Sequence, residues 1–272
     1  MDSVKLADQI IQWLKQQIIE TKQKGFVIGV SGGVDSAVVS TLCAMTGEPT
    51  IVVSLPIDRW NSKIPQSTIL ADKHMAWLTS RHPNVRVSEC YLDKALYSFE
   101  GSIWSNIFEG NPYSIDTNEN RDLVSANLRS RLRMCALYAY ANASRFLVAG
   151  TGNKVEDFGI GFFTKHGDGG IDLSPIGDLL KSEVQNLAFH LDINGDIVSA
   201  APTDGLWADG RTDEMAIGAT YDELEWAMKW LNDEITSNYL TERMVEVLNI
   251  YKRRHFANQH KMKMPPICRI ER

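Results

Sequence analysis

Between Val4 and Ile18 the apolar residues recur every three or four positions. Leu6, Ile10, Trp13, Leu14 and Ile18 share one face of an amphipathic helix predicted over residues 3–23. The pattern then changes to short apolar runs, which predict strands over Phe26–Val30, Thr50–Leu55, Val85–Tyr91 and Phe146–Ala149. Helical spacing between them predicts helices over 36–46, 67–79 and 122–143. Strands alternating with helices in this way predict an α/β fold, a doubly wound, mostly parallel sheet with helices on both faces. In such a sheet ligands bind outside the carboxyl ends of the strands. The last third reads as mainly helical, over 177–191, 220–232 and 238–257.

Two stretches break the rhythm. Residues 97–121 mix aromatics with Gly, Asn and Pro and read as an irregular excursion, either plain surface or a dimer-contacting segment. Residues 255–272 read as an exposed C-terminal tail, basic at first and carrying Pro265-Pro266. No internal repeat appears, and 272 residues suit one large domain.

Charge and cysteine content narrow the function classes. A net charge of −6 disfavours nucleic acid as a partner. No stretch reaches about 18 apolar residues, so no membrane span is expected. The N-terminus has no signal-peptide pattern. The four cysteines, Cys43, Cys90, Cys135 and Cys268, form no C-x-x-C pair, which disfavours a zinc or iron–sulfur site and fits a reducing cytoplasm. Cys43 and Cys135 fall in apolar helical patterns and are expected in the core.

The first candidate for chemistry is Gly29-Val30-Ser31-Gly32-Gly33-Val34-Asp35-Ser36, between the first strand and the helix after it. Backbone N–H groups at such a turn, the helix N-terminus, glycines without Cβ atoms and two hydroxyls suit a phosphate. Asp35 would repel phosphate unless a cation lay between, which points to magnesium. Three readings compete: an ordinary helix cap, a nucleophile elbow formally fitting G-x-S-x-G, and a pyrophosphate loop. The elbow is disfavoured because only one strand precedes Ser31, leaving no earlier loop for an oxyanion donor. The Gly-Lys-Ser/Thr ending of a Walker A loop is missing. A second glycine turn, Gly150-Thr151-Gly152-Asn153-Lys154, follows the last predicted strand and leads to Glu156 and Asp157. Read alone these are two solvated acids; beside Asp35 they could complete an oxygen-ligand site. The glycine-rich stretch 158–177, with Phe162, Phe163, Lys165, Asp168 and Asp172, reads as a functional loop.

The octapeptide resembles the SGGxDS signature of the N-type ATP pyrophosphatases, whose fold is Rossmann-like (adenine nucleotide alpha hydrolase-like). The chain as a whole resembles the ammonia-dependent NAD synthetases. The blocks that carry this are GVSGGVDS (29–36), NLRSRLRM (127–134), GTGNKVE (150–156), GFFTKHGDGGIDLSPIGDLLK (161–181), APTDGLW (201–207), DELEWA (222–227) and HK (260–261). No glutaminase domain is seen, so free ammonia is the implied nitrogen donor. The resemblance implies that Gly29, Val30, Ser31, Gly32, Gly33, Val34, Asp35, Ser36, Thr151, Lys181 and Thr203 bind ATP. It implies that Asp35 and Glu156 hold magnesium. Arg131, Lys165, Asp172, His260 and Lys261 would hold deamido-NAD, partly across a homodimer interface, with catalytic roles for Asp35, Lys181 and Asp172. The implied reaction is adenylation of the deamido-NAD carboxylate, then attack by ammonia to give NAD and AMP. The alternatives are another SGGxDS ligase or tRNA-modifying enzyme, and a nucleotide sensor without catalysis. One departure stands out. Between Thr151 and Gly161 the chain carries one residue more than the commonest family spacing, which leaves Glu156 and Asp157 as rivals for the metal, with Glu156 preferred because it keeps its distance from the strand end.

Overall fold

The computed structural model describes residues 2–57, 64–109, 111–115, 117–203, 212–236 and 239–270. Helix α1 (Ser3–Thr21) opens the chain, capped by Asp2, whose carboxylate accepts from Val4 N at 3.0 Å. Strand β1 (Phe26–Gly29), α2 (Val34–Met45), β2 (Thr50–Ser54), α3 (Gln66–Arg81) and β3 (Val85–Glu89) then alternate. Helices α4 (Asp93–Phe108) and α5 (Asn118–Ser144) lead to β4 (Leu147–Val148). A π-helical turn at Lys154–Ile160 follows, then α6 (Lys181–His190), α7 (Gly195–Val198), α8 (Asp213–Ile217), α9 (Tyr221–Leu231) and α10 (Glu242–Met262).

The four strands are all parallel in the order β3-β2-β1-β4. Alternation along β1 shows why both faces must be covered. Phe26 and Ile28 enter the core made with α1, α2 and α6, whereas Val27 enters the opposite core made with α4 and α5. Strand order reverses between β1 and β4, so the crevice for a ligand lies beyond the carboxyl ends of those two strands.

Several expectations change. Residues 97–108 continue α4, and only the stretch before α5 lies outside helices. Tyr97, Phe99 and Tyr113 are exposed there. The expected tail is helix as far as Met262, because α10 packs against the π-helical turn; residues 263–270 lie outside helices and strands and are exposed. Trp13 is 39% exposed while its neighbour Ile11 is buried. Cys43 is buried, but Cys135 is exposed, and both are free thiols. Among the described residues no helix is long and apolar enough to cross a membrane.

Candidate active site at the switch point of the sheet

The first glycine turn leaves β1 and becomes α2 earlier than its sequence predicts. The helix starts at Val34, with Gly33 as its cap residue, which puts Asp35 in the first helical turn. The hydroxyls hold the turn together. Ser36 Oγ donates to Gly33 O at 2.9 Å and accepts from Ser31 N at 3.2 Å, while Ser31 Oγ accepts from Gly33 N at 3.3 Å. Gly32 has φ +87°, and a Cβ there would lie 2.0 Å from Ser67 O, so only glycine fits. Val30 N donates to Val53 O within the sheet, so its amide is not available to a phosphate.

The second turn leaves β4 and is capped by a side chain. Asn153 is fully buried, and its Oδ1 accepts from Val155 N and Glu156 N at 3.2 and 3.1 Å. The helix that follows is of the i→i+5 type, with Gly161 N donating to Glu156 O. A π-turn holds one residue more than an α-turn. Glu156 is held at the start of this turn by Asn153.

The two turns meet at Lys181, the first residue of α6, which is 2% exposed. Its ammonium donates to Asp35 Oδ2 at 2.5 Å and to Glu156 Oε1 at 3.1 Å. Asn153 Nδ2 donates to Asp35 Oδ1 at 3.4 Å. Tyr221 OH donates to the same Glu156 oxygen, and the Tyr221 ring lies 4.7 Å from the Lys181 ammonium. Burial alone would lower the Lys181 pKa, but the facing Asp35 and Glu156 carboxylates outweigh it, so the net shift is upward and the lysine is charged.

Two carboxylates therefore converge on one cation position, filled here by an ammonium. The same two carboxylates suit magnesium, whose other positions would go to phosphate oxygens and water. Among the described residues no three His, Cys, Asp or Glu are grouped to hold a metal ion, so such a cation would depend on its nucleotide for the rest of its shell. Asp157 does not join the pair. Its carboxyl packs on Gly152, 9% exposed, and burial, reinforced by repulsion from Glu156, Asp168 and Asp35, pushes its pKa well above the carboxylate range.

The substrate-side residues implied by the resemblance gather around the loop 161–172. Helix α5 shapes that loop. Asn127 Oδ1 accepts from Thr164 Oγ1 at 2.7 Å, Ser130 Oγ donates to Asp168 Oδ1 at 2.6 Å, and Arg131 Nε donates to Lys165 O at 3.2 Å. The end of α10 closes the other side. Lys165 Nζ donates to His260 O at 2.8 Å, and Lys261 Nζ donates to Phe163 O at 2.6 Å. Asp172 accepts from Tyr138 OH at 2.9 Å and Val148 N at 2.8 Å, pinning the loop to β4. A cavity of about 240 Å³ lies here, lined by Asp157, Phe163, Ile171, Asp172, Ser174 and Lys261 among others. Thr151 sits half-buried at the second turn. Thr203 is exposed where the described chain pauses; residues 204–207 of its motif lie outside the described residues.

Sequence reading singled out Asp35, Glu156 and Lys181 and missed two residues that hold them. Asn153 had a signal, a cap-forming residue at the start of a helix. Tyr221 had none, since a tyrosine at helical spacing reads as core.

Residues 6–265 match the family described as NAD synthase. The NH(3)-dependent NAD(+) synthetase of Carboxydothermus hydrogenoformans is 34% identical over 262 residues, covering 96% of this chain and 95% of that one. The solved NMN synthetase of Francisella tularensis superposes with a TM-score of 0.82 at 30% identity, over 99% of this chain and 100% of that one. The NH3-dependent NAD synthetase of Campylobacter jejuni subsp. jejuni NCTC 11168 gives a TM-score of 0.75 at 26% identity, over 99% and 100%. The chain belongs to the NAD synthase family.

Proposed function

We propose that this NAD synthase-family chain catalyses the ATP-dependent amidation of deamido-NAD by ammonia, yielding NAD, AMP and pyrophosphate. The observation that carries the reading is the convergence of Asp35, Glu156 and Lys181 at the switch point, beside a glycine turn built for phosphate. A carboxylate does not react with ammonia unaided, because oxide would have to leave. Transfer of AMP to it creates a leaving group, and the task of the protein is to orient the reactants and stabilise charge around the transferring phosphorus.

The residues divide that task. The 31–36 turn and Thr151 cradle the phosphates, and Thr203 contacts the nucleotide. Asp35 and Glu156 hold magnesium, which when bound offsets phosphate charge and favours pyrophosphate departure. Lys181 brings a charged ammonium to the same phosphates. Arg131, Lys165, His260 and Lys261 supply cationic and polar contacts for the dinucleotide acid. Asp172 accepts a single hydrogen bond at each carboxylate oxygen and keeps lone pairs for a substrate donor or for a proton leaving ammonia. The enzyme acts as a cytoplasmic homodimer, a reading supported by the exposed aromatics of α4 and the family resemblance.

The test is ATP–pyrophosphate exchange. Exchange that requires deamido-NAD is expected; exchange with no acid present, or none at all, would sink the reading. A second reading changes only the acid. The superposition on an NMN synthetase at a TM-score of 0.82 favours trying nicotinate mononucleotide, amidated by the same chemistry. Measuring kcat/KM for both acids decides between them, and preference for the mononucleotide would replace the dinucleotide as substrate.

A further inference from the structure

We infer that Tyr221 is a positioning residue for the cation site, its hydroxyl fixing the Glu156 carboxylate in the orientation that a nucleotide-bound cation requires. This rests on the reading of Asp35 and Glu156 as the cation ligands.

Glu156 Oε1 accepts from both Lys181 and Tyr221, while no described residue donates to Oε2. A glutamate reaches its position through three rotatable bonds, so one oxygen must be pinned if the other is to point at a cation. Lys181 is a shared pin, since its ammonium also bonds Asp35 and the proposed function gives it to the phosphates as well. Tyr221 is not shared in this way. Its ring is 6% exposed, packed in a core with Leu224, Met228 and Tyr251, and its hydroxyl is the only polar atom it brings to the site. The hydroxyl has a second, longer acceptor in Asp213 Oδ2 at 3.4 Å, so the closer Glu156 oxygen takes its single proton.

Helix α9 is anchored so that this placement is rigid. Thr220 and Glu223 form a capping box at its start, with Glu223 N donating to Thr220 Oγ1 at 3.2 Å and Thr220 N donating to Glu223 Oε2 at 2.9 Å. Tyr221 N donates to Glu214 Oε1 at 3.0 Å. One turn further on the same face, the buried Glu225 accepts from Ser182 N at 2.8 Å and from Ser182 Oγ at 2.7 Å. A single helix face thus grips the residue after Lys181 with one side chain and Glu156 with the other. The spacing between the phosphate lysine and the cation carboxylate is set by α9.

The experiment compares wild type, Tyr221→Phe and Glu223→Ala. Mn2+ affinity is measured by electron paramagnetic resonance in the presence of α,β-methylene-ATP, a non-cleavable analogue. Tyr221→Phe keeps the ring and its packing and removes only the hydroxyl. It is expected to weaken Mn2+ binding about 10-fold or more while the melting temperature and the KM for the acid substrate stay near wild type. Glu223→Ala weakens the α9 cap and leaves the hydroxyl, and is expected to weaken Mn2+ binding far less than Tyr221→Phe does. Equal Mn2+ affinity in Tyr221→Phe and wild type overturns the inference alone. Equal weakening in both variants also overturns it, since helix packing and not the hydroxyl would then be responsible. Absence of Mn2+ binding by wild type itself would instead overturn the underlying assignment of Asp35 and Glu156.

Discussion

The two glycine turns at the switch point do one job by different means. The turn after β1 is closed by its own hydroxyls and runs into α2, a helix with ten buried residues that forms the centre of one core. The turn after β4 is closed by Asn153 and runs into seven residues of π-helix whose outer side is held by α10. One is part of the folding core; the other is assembled from distant chain segments. The first can therefore be rigid without ligand, whereas the second depends on contacts between residues about a hundred positions apart, such as Asn258 Nδ2 to Ile160 O at 2.9 Å.

If the comparison holds, damage to each turn has its own signature. The largest effect is on catalysis at the point they share. Asp35→Ala should lower pyrophosphate exchange by about 1000-fold or more, since both cation binding and lysine placement fail. Its urea midpoint should fall as well, though far less than its activity, because the buried Lys181 ammonium loses one carboxylate and keeps Glu156. A near-normal exchange rate would remove Asp35 from the chemistry.

Gly32→Ala should destabilise the whole protein by about 3–5 kcal/mol, the sum of a left-handed backbone and a Cβ driven against Ser67 O. Chemical denaturation checks this, and a loss below about 1 kcal/mol would mean that the first turn is not welded to the core.

The turns should also respond to pH with opposite signs. His74 donates to or accepts from Ser40 of α2 at 2.9 Å, and burial pushes its pKa down to about 4. A histidine depressed in the folded state contributes stability above its ordinary value of 6.5, and that contribution is lost as pH falls through 6.5 toward about 4. The gap of 2.5 corresponds to about 3 kcal/mol. His74→Gln should flatten this acid limb of the stability curve. Asp157, beside the second turn, is raised by burial, so its contribution is full below the ordinary carboxylate value and is lost as pH rises through the raised one. Asp157→Asn should therefore gain stability over wild type at pH 8 and lose that gain at pH 4. Denaturant midpoints across pH test both.

The smallest expected effect is local. Asn153→Ala removes the cap of the second turn and should lower stability by about 1–2 kcal/mol. The KM for ATP should rise with it, while the first turn stays intact by hydrogen exchange at Ser31 and Gly33.

What could be read from residue order follows the same division. Strands β1 to β4 and helices α1 to α3 were legible because each carries a period that matches one buried face, as Phe26, Val27 and Ile28 do. Asp35, Glu156 and Lys181 were legible as motif members. The π-helix was not, because seven residues are too few to show a period of their own. Helix α4 was hidden because its exposed face carries Tyr97 and Phe99, which blur the amphipathic pattern. The docking of residues 255–262 was hidden for another reason. His255 Nδ1 pairs with Gly159 O and Lys261 pairs with Phe163 O, so basic side chains serve backbone carbonyls far away in sequence.

The seat of α10 has a mechanical consequence. A Cβ on Gly159 would meet Met228 Cε at 2.7 Å and Tyr251 OH at 3.1 Å, and one on Gly161 would meet Asn258 Cβ at 2.4 Å. These two missing side chains form a fulcrum partway along a rod of 21 residues, roughly 31 Å long at helical rise. His260 and Lys261 ride on the short arm beyond the fulcrum, and Thr241 begins the long one. A small tilt imposed at the distant end would reach the loop around Phe163 as displacement of those two residues, which are tied to it through Lys165 and Phe163. The shape of the loop would then be adjustable from the opposite end of the rod without a change in either glycine turn.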